Sequence, residues 1–160
     1  MSPATAEKPH GEEKITIERT FDAPRDLVFR MWVEPAHLAQ WWGPDHFTNP
    51  VCEIDARAGG KLHIVMRAPD GGEYPMSGTF KEVRPPEKLV FVAQAQDGEG
   101  RSALEAYTSV TFEDAGGKTK MALFAHGVGI APAALAMLSG MEAGWTQSIG
   151  RLTAHIAKQK

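Results

Sequence analysis

One cysteine, Cys52, stands among 160 residues. That excludes an internal disulfide and any thiolate-rich metal site, and leaves Cys52 to be read as a small buried apolar residue in a strand. The chain also lacks any apolar run near the ~20 residues that span a bilayer. Its net charge is −3, with no block of lysines or arginines. A nucleic-acid surface needs a basic face to displace counterions from phosphates. Neither membrane nor nucleic acid is therefore an expected partner. The six histidines include no H-x-x-x-H or H-E-x-x-H pair, the spacings by which one helix face offers two zinc ligands. No metal and no other cofactor is expected. A G-x-S-x-G nucleophile elbow is missing too. "GVG" at 127 to 129 lacks the Lys-Ser/Thr ending of a phosphate loop and reads as a turn.

What is present is an ordinary globular composition, 42% apolar and 23% charged, in a length that suits one domain with a real core. The opening "MSPATAEKPHGEEK" has no apolar centre of the kind a secretory signal requires. Residues 1–13 are expected as a disordered polar tail, residues 14–160 as a single domain, and the location as cytoplasmic.

Periodicity orders the rest. In "KITIERTF", residues 14 to 21, Ile15, Ile17 and Arg19 alternate with Thr16, Glu18 and Thr20, the period of a strand. "DAPRDLVFRMWV" follows, with Pro24 suited to a first helical position. Leu27, Val28, Met31 and Trp32 fall on one helical side and Phe29 on another. Pro35 ends that helix and opens a short one through Gln40. From 47 to 128 strands alternate with turns, and "PDGG" is a strong hairpin signal because Asp-Gly and Gly-Gly accept positive φ. Finally Leu138, Met141, Trp145, Ile149, Leu152 and Ile156 form one stripe of an amphipathic helix. "SGME", Ser139 to Glu142, fits a capping box at its start. Gly140 and Gly144 leave part of one helical face without side chains. Either a strand packs closely there or a cavity gains room.

The layout predicts an α+β fold in which a curved antiparallel sheet of about six to seven strands wraps a long C-terminal helix, with two short helices after the first strand. Such a sheet does not close perfectly on one helix, and the gap is a natural cavity. The apolar side chains expected to line it are Met76, Phe80, Phe91, Phe112, Met141 and Trp145. The pair Trp41 and Trp42, placed before a Gly-Pro turn, supplies one ring to the core and one to the cavity mouth, in an order the sequence leaves open. Polar candidates depend on strand parity. If the apolar face of "KLHIVMR" meets the helix, His63 and Arg67 face solvent; if the sheet is inverted, they enter the cavity. Glu53 shares that question, and His46 follows the Gly-Pro turn. A carboxylate buried beside a histidine there would have a perturbed pKa and could act as a general acid or base.

Several stretches together resemble the family related to the activator of the Hsp90 ATPase, within the START-like, helix-grip group. They are "FDAPRDLVFRMWVEPAHLAQWWGP" (21 to 44), "DARAGGKL" (55 to 62), "PDGGEYPMSGTFKEVRPPEKLVF" (69 to 91), "VTFED" (110 to 114), and Gly144 with Trp145. The resemblance implies the helix-grip fold and a host of functions: ligand binder, cyclase- or dehydratase-type enzyme, or protein-interaction module. The reading favoured is a binder of a small apolar or amphipathic ligand. An Hsp90 interaction is not expected, because the eukaryotic co-chaperone engages Hsp90 with an additional N-terminal domain, where this chain shows a polar tail. A homodimer is left open.

Overall fold

The computed structural model describes residues 10–97 and 99–159. Seven strands, β1 (Glu12–Phe21), β2 (Thr48–Ile54), β3 (Lys61–Arg67), β4 (Glu73–Arg84), β5 (Lys88–Gln96), β6 (Ser102–Ala115) and β7 (Lys118–Gly129), form one sheet. Its order is β1-β7-β6-β5-β4-β3-β2, with every neighbouring pair antiparallel. Only the β1–β7 pairing joins strands distant in sequence, because the two short helices α1 (Arg25–Val33) and α2 (Pro35–Trp41) carry the chain from β1 to the opposite edge. The remaining strands follow as a meander joined by short turns. At "PDGG" the Ala68 carbonyl accepts from Gly71 N, and Asp70 Oδ1 accepts from Gly72 N, with Gly71 at φ 90°. The chain closes with α3 (Ala134–Ser139) and α4 (Met141–Ala157).

The expected boundary of the tail needs one correction. Residues 1–9 lie outside the described residues, but Gly11 accepts a hydrogen bond from Gly129 N, and β1 already runs from Glu12 against Val128. A polar sequence is held here by backbone pairing to a long partner strand, which needs no apolar side chain.

Alternation sets the two faces. Leu62, Ile64 and Met66 of β3, Phe91 and Ala93 of β5, Val110 and Phe112 of β6, and Met121, Leu123 and Ala125 of β7 all turn inward. Against them α4 lays Ile149, Leu152 and Ile156, none more than 3% exposed. Phe29, expected off the apolar side of α1, is buried and meets Phe112 edge-on at 5.4 Å. A short helix wedged between sheet and α4 has apolar neighbours on more than one side, so a single-stripe pattern understates it. The capping box is not formed either. Ser139 ends α3, the chain breaks at Gly140, and α4 starts without a side-chain cap. No helix among the described residues is long and apolar enough to cross a membrane.

Where α2 meets α4, His37 Nδ1 and His155 Nε2 stand 3.0 Å apart, and Glu34 lies 3.6 Å from His37 Nε2. One proton fits between the two rings, so the contact requires one of them neutral. Burial, then the charges of His37 and Lys158, lower the His155 pKa below its ordinary 6.5. The unfolded chain therefore binds more protons than the folded one between that lowered value and 6.5, and stability falls as pH drops through this window. The melting temperature is expected to decline on acidification from about pH 7 to about pH 5, and His155→Gln should flatten part of that decline. Scanning calorimetry of both proteins across the window checks it; parallel profiles would contradict the assignment.

Candidate functional site

Between the sheet and the first turns of α4 lies a pocket of about 260 Å³. Its walls come from five places: the loop after α2, the β3–β4 hairpin, the inward face of β5 and β6, α3, and the start of α4. Aromatic rings (Trp42, Tyr74, Phe91, Trp145) and four of the seven methionines (Met66, Met76, Met137, Met141) supply its large side chains, with small residues between them. Polar groups are few: Tyr74, Gln96, Thr108 and Ser148.

The two buried hydroxyls differ. Ser148 accepts from Gly43 N at 3.1 Å and donates to the Gly144 carbonyl at 2.9 Å, so its oxygen is already used in fixing the loop to the helix. Thr108, 2% exposed, sits on the inward face of β6 between Phe91 of β5 and Ala125 of β7. Its hydroxyl is not among the buried polar atoms left without a partner, which are Trp32 Nε1 and Asn49 Oδ1, and the residue lines the pocket, where the hydroxyl is open to a guest.

The loop after α2 is held by one side chain. Arg151 of α4 donates from Nη1 to the carbonyls of Trp42, Gly43 and Pro44 at 3.1, 3.0 and 2.9 Å. From Nη2 it donates to Gln40 and Phe47 at 3.3 and 3.0 Å. Burial pulls its pKa down, with the Asp45 charge opposing. Gln147 Oε1 accepts from Asp45 N, and Asn49 Nδ2 donates to the Ala39 and Trp42 carbonyls. Gly43, at φ 97°, holds a left-handed conformation that side chains strain, and a Cβ there would stand 2.9 Å from the flexible Met66 thioether and push it aside. The Gly-Pro after the tryptophans thus lets the backbone expose its carbonyls to one guanidinium while its other side meets the pocket.

The adjacent tryptophans divide as follows. Trp41 is fully buried, donates Nε1–H to the Met31 carbonyl at 3.0 Å, and meets Trp32 edge-on at 4.7 Å. Trp42 faces the pocket, 5.3 Å from Trp145 in a T-shaped pair. Met76, Phe91, Met141 and Trp145 also border the pocket.

Trp41, Phe80 and Phe112 do not line it. Trp41 turns back onto α1; Phe112 packs against Phe29 and Trp32 toward the other end of the sheet. Phe80 borders a separate void of about 10 Å³ behind Trp42 and Phe91. All three sit where the sheet and helices are in direct contact rather than splayed.

Nor do the polar candidates enter the pocket. The inward parity of Leu62, Ile64 and Met66 puts His63 and Arg67 on the outer face, where His63 Nδ1 meets Ser77 Oγ at 2.8 Å and Arg67 pairs with Glu73 at 2.7 Å. Glu53 is exposed on β2 opposite His63. His46 is exposed in the loop with φ 71°, a left-handed conformation uncommon for a residue other than glycine. Among the described residues no cluster of three metal-binding side chains occurs. Cys52 shares the inward parity of Ile54, and burial pushes its thiol up to about 11, so it stays protonated near neutral pH.

Sequence reasoning missed Met66, Met137, Thr108, Ser148 and the anchoring Arg151. Parity could have found two of them, since Met66 follows Leu62 and Ile64 and Thr108 precedes Val110 and Phe112. Gly140 and Gly144, noted as a bare helical face, border the pocket. A Cβ on either would meet nothing closer than 3.8 Å, so they make room instead of admitting a close strand.

A curved seven-stranded antiparallel sheet gripping a C-terminal helix, with a pocket between them, defines a helix-grip protein of the START-like class. Residues 22–157 match the family model described as Activator of Hsp90 ATPase homolog 1-like protein, and the chain belongs to that family. Solved structures agree in fold. The AHSA1 protein of Silicibacter pomeroyi is 26% identical with a TM-score of 0.77, over 92% of this chain and 100% of that one. A putative uncharacterized protein from Rhizobium leguminosarum is 23% identical with a TM-score of 0.78, over 92% and 96%. A protein from Arthrobacter aurescens, solved by NMR, is 24% identical with a TM-score of 0.76, over 91% and 86%. No curated protein matches the chain.

Proposed function

We propose that this protein binds a small apolar or amphipathic molecule in the pocket between the sheet and α4. The observation that carries the reading is the chemistry of the wall. It is aromatic and thioether-rich, and it contains no carboxylate, imidazole, ammonium or guanidinium. Apolar walls gain by removing ligand surface from water, and methionine side chains adapt to the shape presented. A cyclase or dehydratase of the acid–base kind would need a titrating group within reach of the substrate. The histidine and carboxylate candidates instead lie off the pocket wall, His63 and Glu53 on the outer face of the sheet and His46 in an exposed loop, which favours binding over turnover.

Native mass spectrometry of protein purified gently from cells tests this. A reproducible bound mass of a few hundred daltons is expected. A clean ligand-free mass, together with an unfolding temperature unmoved by a panel of apolar compounds, would refute the reading.

A further inference from the structure

We infer that the ligand is an uncharged, flat molecule of about two fused rings, carrying one hydrogen-bonding substituent that reaches the Thr108 hydroxyl. The inference rests on the binding reading above and narrows it to a chemical class.

Three observations converge. The first is size. A cavity of roughly 150 Å³ takes benzene, and this pocket holds about 260 Å³. That is room for a two-ring system and too little for a long acyl chain. The second is the wall. Trp42, Trp145 and Phe91 present π surfaces, and Met66, Met76 and Met141 present polarisable sulfurs that pack well against ring edges. With no charged side chain on the wall, an ionised ligand would lose its hydration without gaining a counter-charge. The third is Thr108. Ser148, the pocket's other buried hydroxyl, is satisfied by Gly43 and Gly144. Thr108 alone of the two is free to pair with a guest, and it sits between Phe91 and Ala125, whereas the remaining polar lining residues, Tyr74 and Gln96, are exposed and half-buried. A valine would fill the same strand position with the same shape. The hydroxyl can donate or accept, so a ligand hydroxyl or carbonyl would pair with it.

Equilibrium dialysis with 2-naphthol, naphthalene, 2-naphthoate and 1-octanol, at neutral pH, tests the inference on wild type, Thr108→Val and Thr108→Ser. One neutral hydrogen bond corresponds to about a fivefold preference. Wild type should therefore bind 2-naphthol about fivefold more tightly than naphthalene, and ionised 2-naphthoate more weakly than either. Thr108→Val should erase the preference by weakening 2-naphthol only, and Thr108→Ser should restore it. Because Val keeps the branched strand-forming shape, its unfolding temperature should not fall. Equal binding of 2-naphthol and naphthalene by wild type, or equal losses for both in Thr108→Val, would overturn the role of Thr108. Binding of 1-octanol as tight as that of 2-naphthol would overturn the two-ring class and leave the binding reading standing. Failure of all four probes would overturn the inference and the binding reading together.

Discussion

Trp41→Ala is expected to lower the unfolding free energy by about 3–5 kcal/mol, the usual cost of emptying a buried tryptophan site. For a chain of this length that amounts to a fall of about 6–20 °C in Tm. The ring has no solvent exposure and closes the angle between α1 and α2, with Trp32 at 4.7 Å and the Met31 carbonyl taking its N–H. Its removal leaves a void among groups already fixed by two helices, together with an unpaired carbonyl. Trp42→Ala is expected to cost about half as much, because one side of that ring already faces empty space. It should instead weaken the binding of ring-shaped probes. Guanidinium denaturation of the two variants makes the comparison directly. Equal losses would mean that Trp42 is as much core as Trp41, and the division of the pair would be wrong.

Arg151→Met is the second large expected effect. The substitution keeps an unbranched chain on α4 but withdraws the donors to five carbonyls. Hydrogen bonds from a charged donor contribute more than neutral ones, about 1.5–3 kcal/mol each when buried. Water will replace some of these at the half-exposed loop, so a loss of about 3 kcal/mol is expected overall. The binding consequence is larger than the distance suggests. Trp42, Gly43 and Pro44 form one wall of the pocket, and their backbone positions are those Arg151 fixes. Affinity for 2-naphthol should fall about tenfold or more. Arg151→Lys should recover less than half of either loss, because an ammonium cannot span acceptors arranged around a planar fork. Denaturation and dialysis on both variants check this. Full recovery by lysine would show that charge alone, and not the fork, organises the loop.

The fold was legible in the sequence because each of its signals is local and repeated. Period-2 alternation, Asp-Gly and Gly-Gly turns, and the stripe from Leu138 to Ile156 each fix an element by themselves. Register follows from the requirement that apolar faces meet. The site was legible only in part. Met76, Phe91, Met141 and Trp145 were found because they belong to those same stripes. Trp41, Phe80 and Phe112 belong to them equally, yet lie where the layers touch; an apolar stripe identifies what faces the helix and not how far away the helix is. Thr108 was passed over because threonine suits a strand anywhere, and its meaning depends on what its neighbours do not offer. Arg151 was invisible for a different reason. Its partners are main-chain carbonyls about a hundred residues away, and carbonyls carry no sequence signature.

Gly144 places the protein under two opposed demands. A glycine inside a helix gives up about 1 kcal/mol relative to alanine, and nothing in the surroundings would obstruct a methyl group there. Gly144→Ala would stabilise the C-terminal helix and also narrow the pocket, whereas Gly150→Ala, equally unobstructed and off the pocket wall, would stabilise it without that loss. A population of variants selected for heat resistance alone would drift toward a solid interior and lose its capacity to host a guest. Natural or laboratory lineages that keep Gly144 while replacing Gly150 would be recording that the hollow itself is under selection.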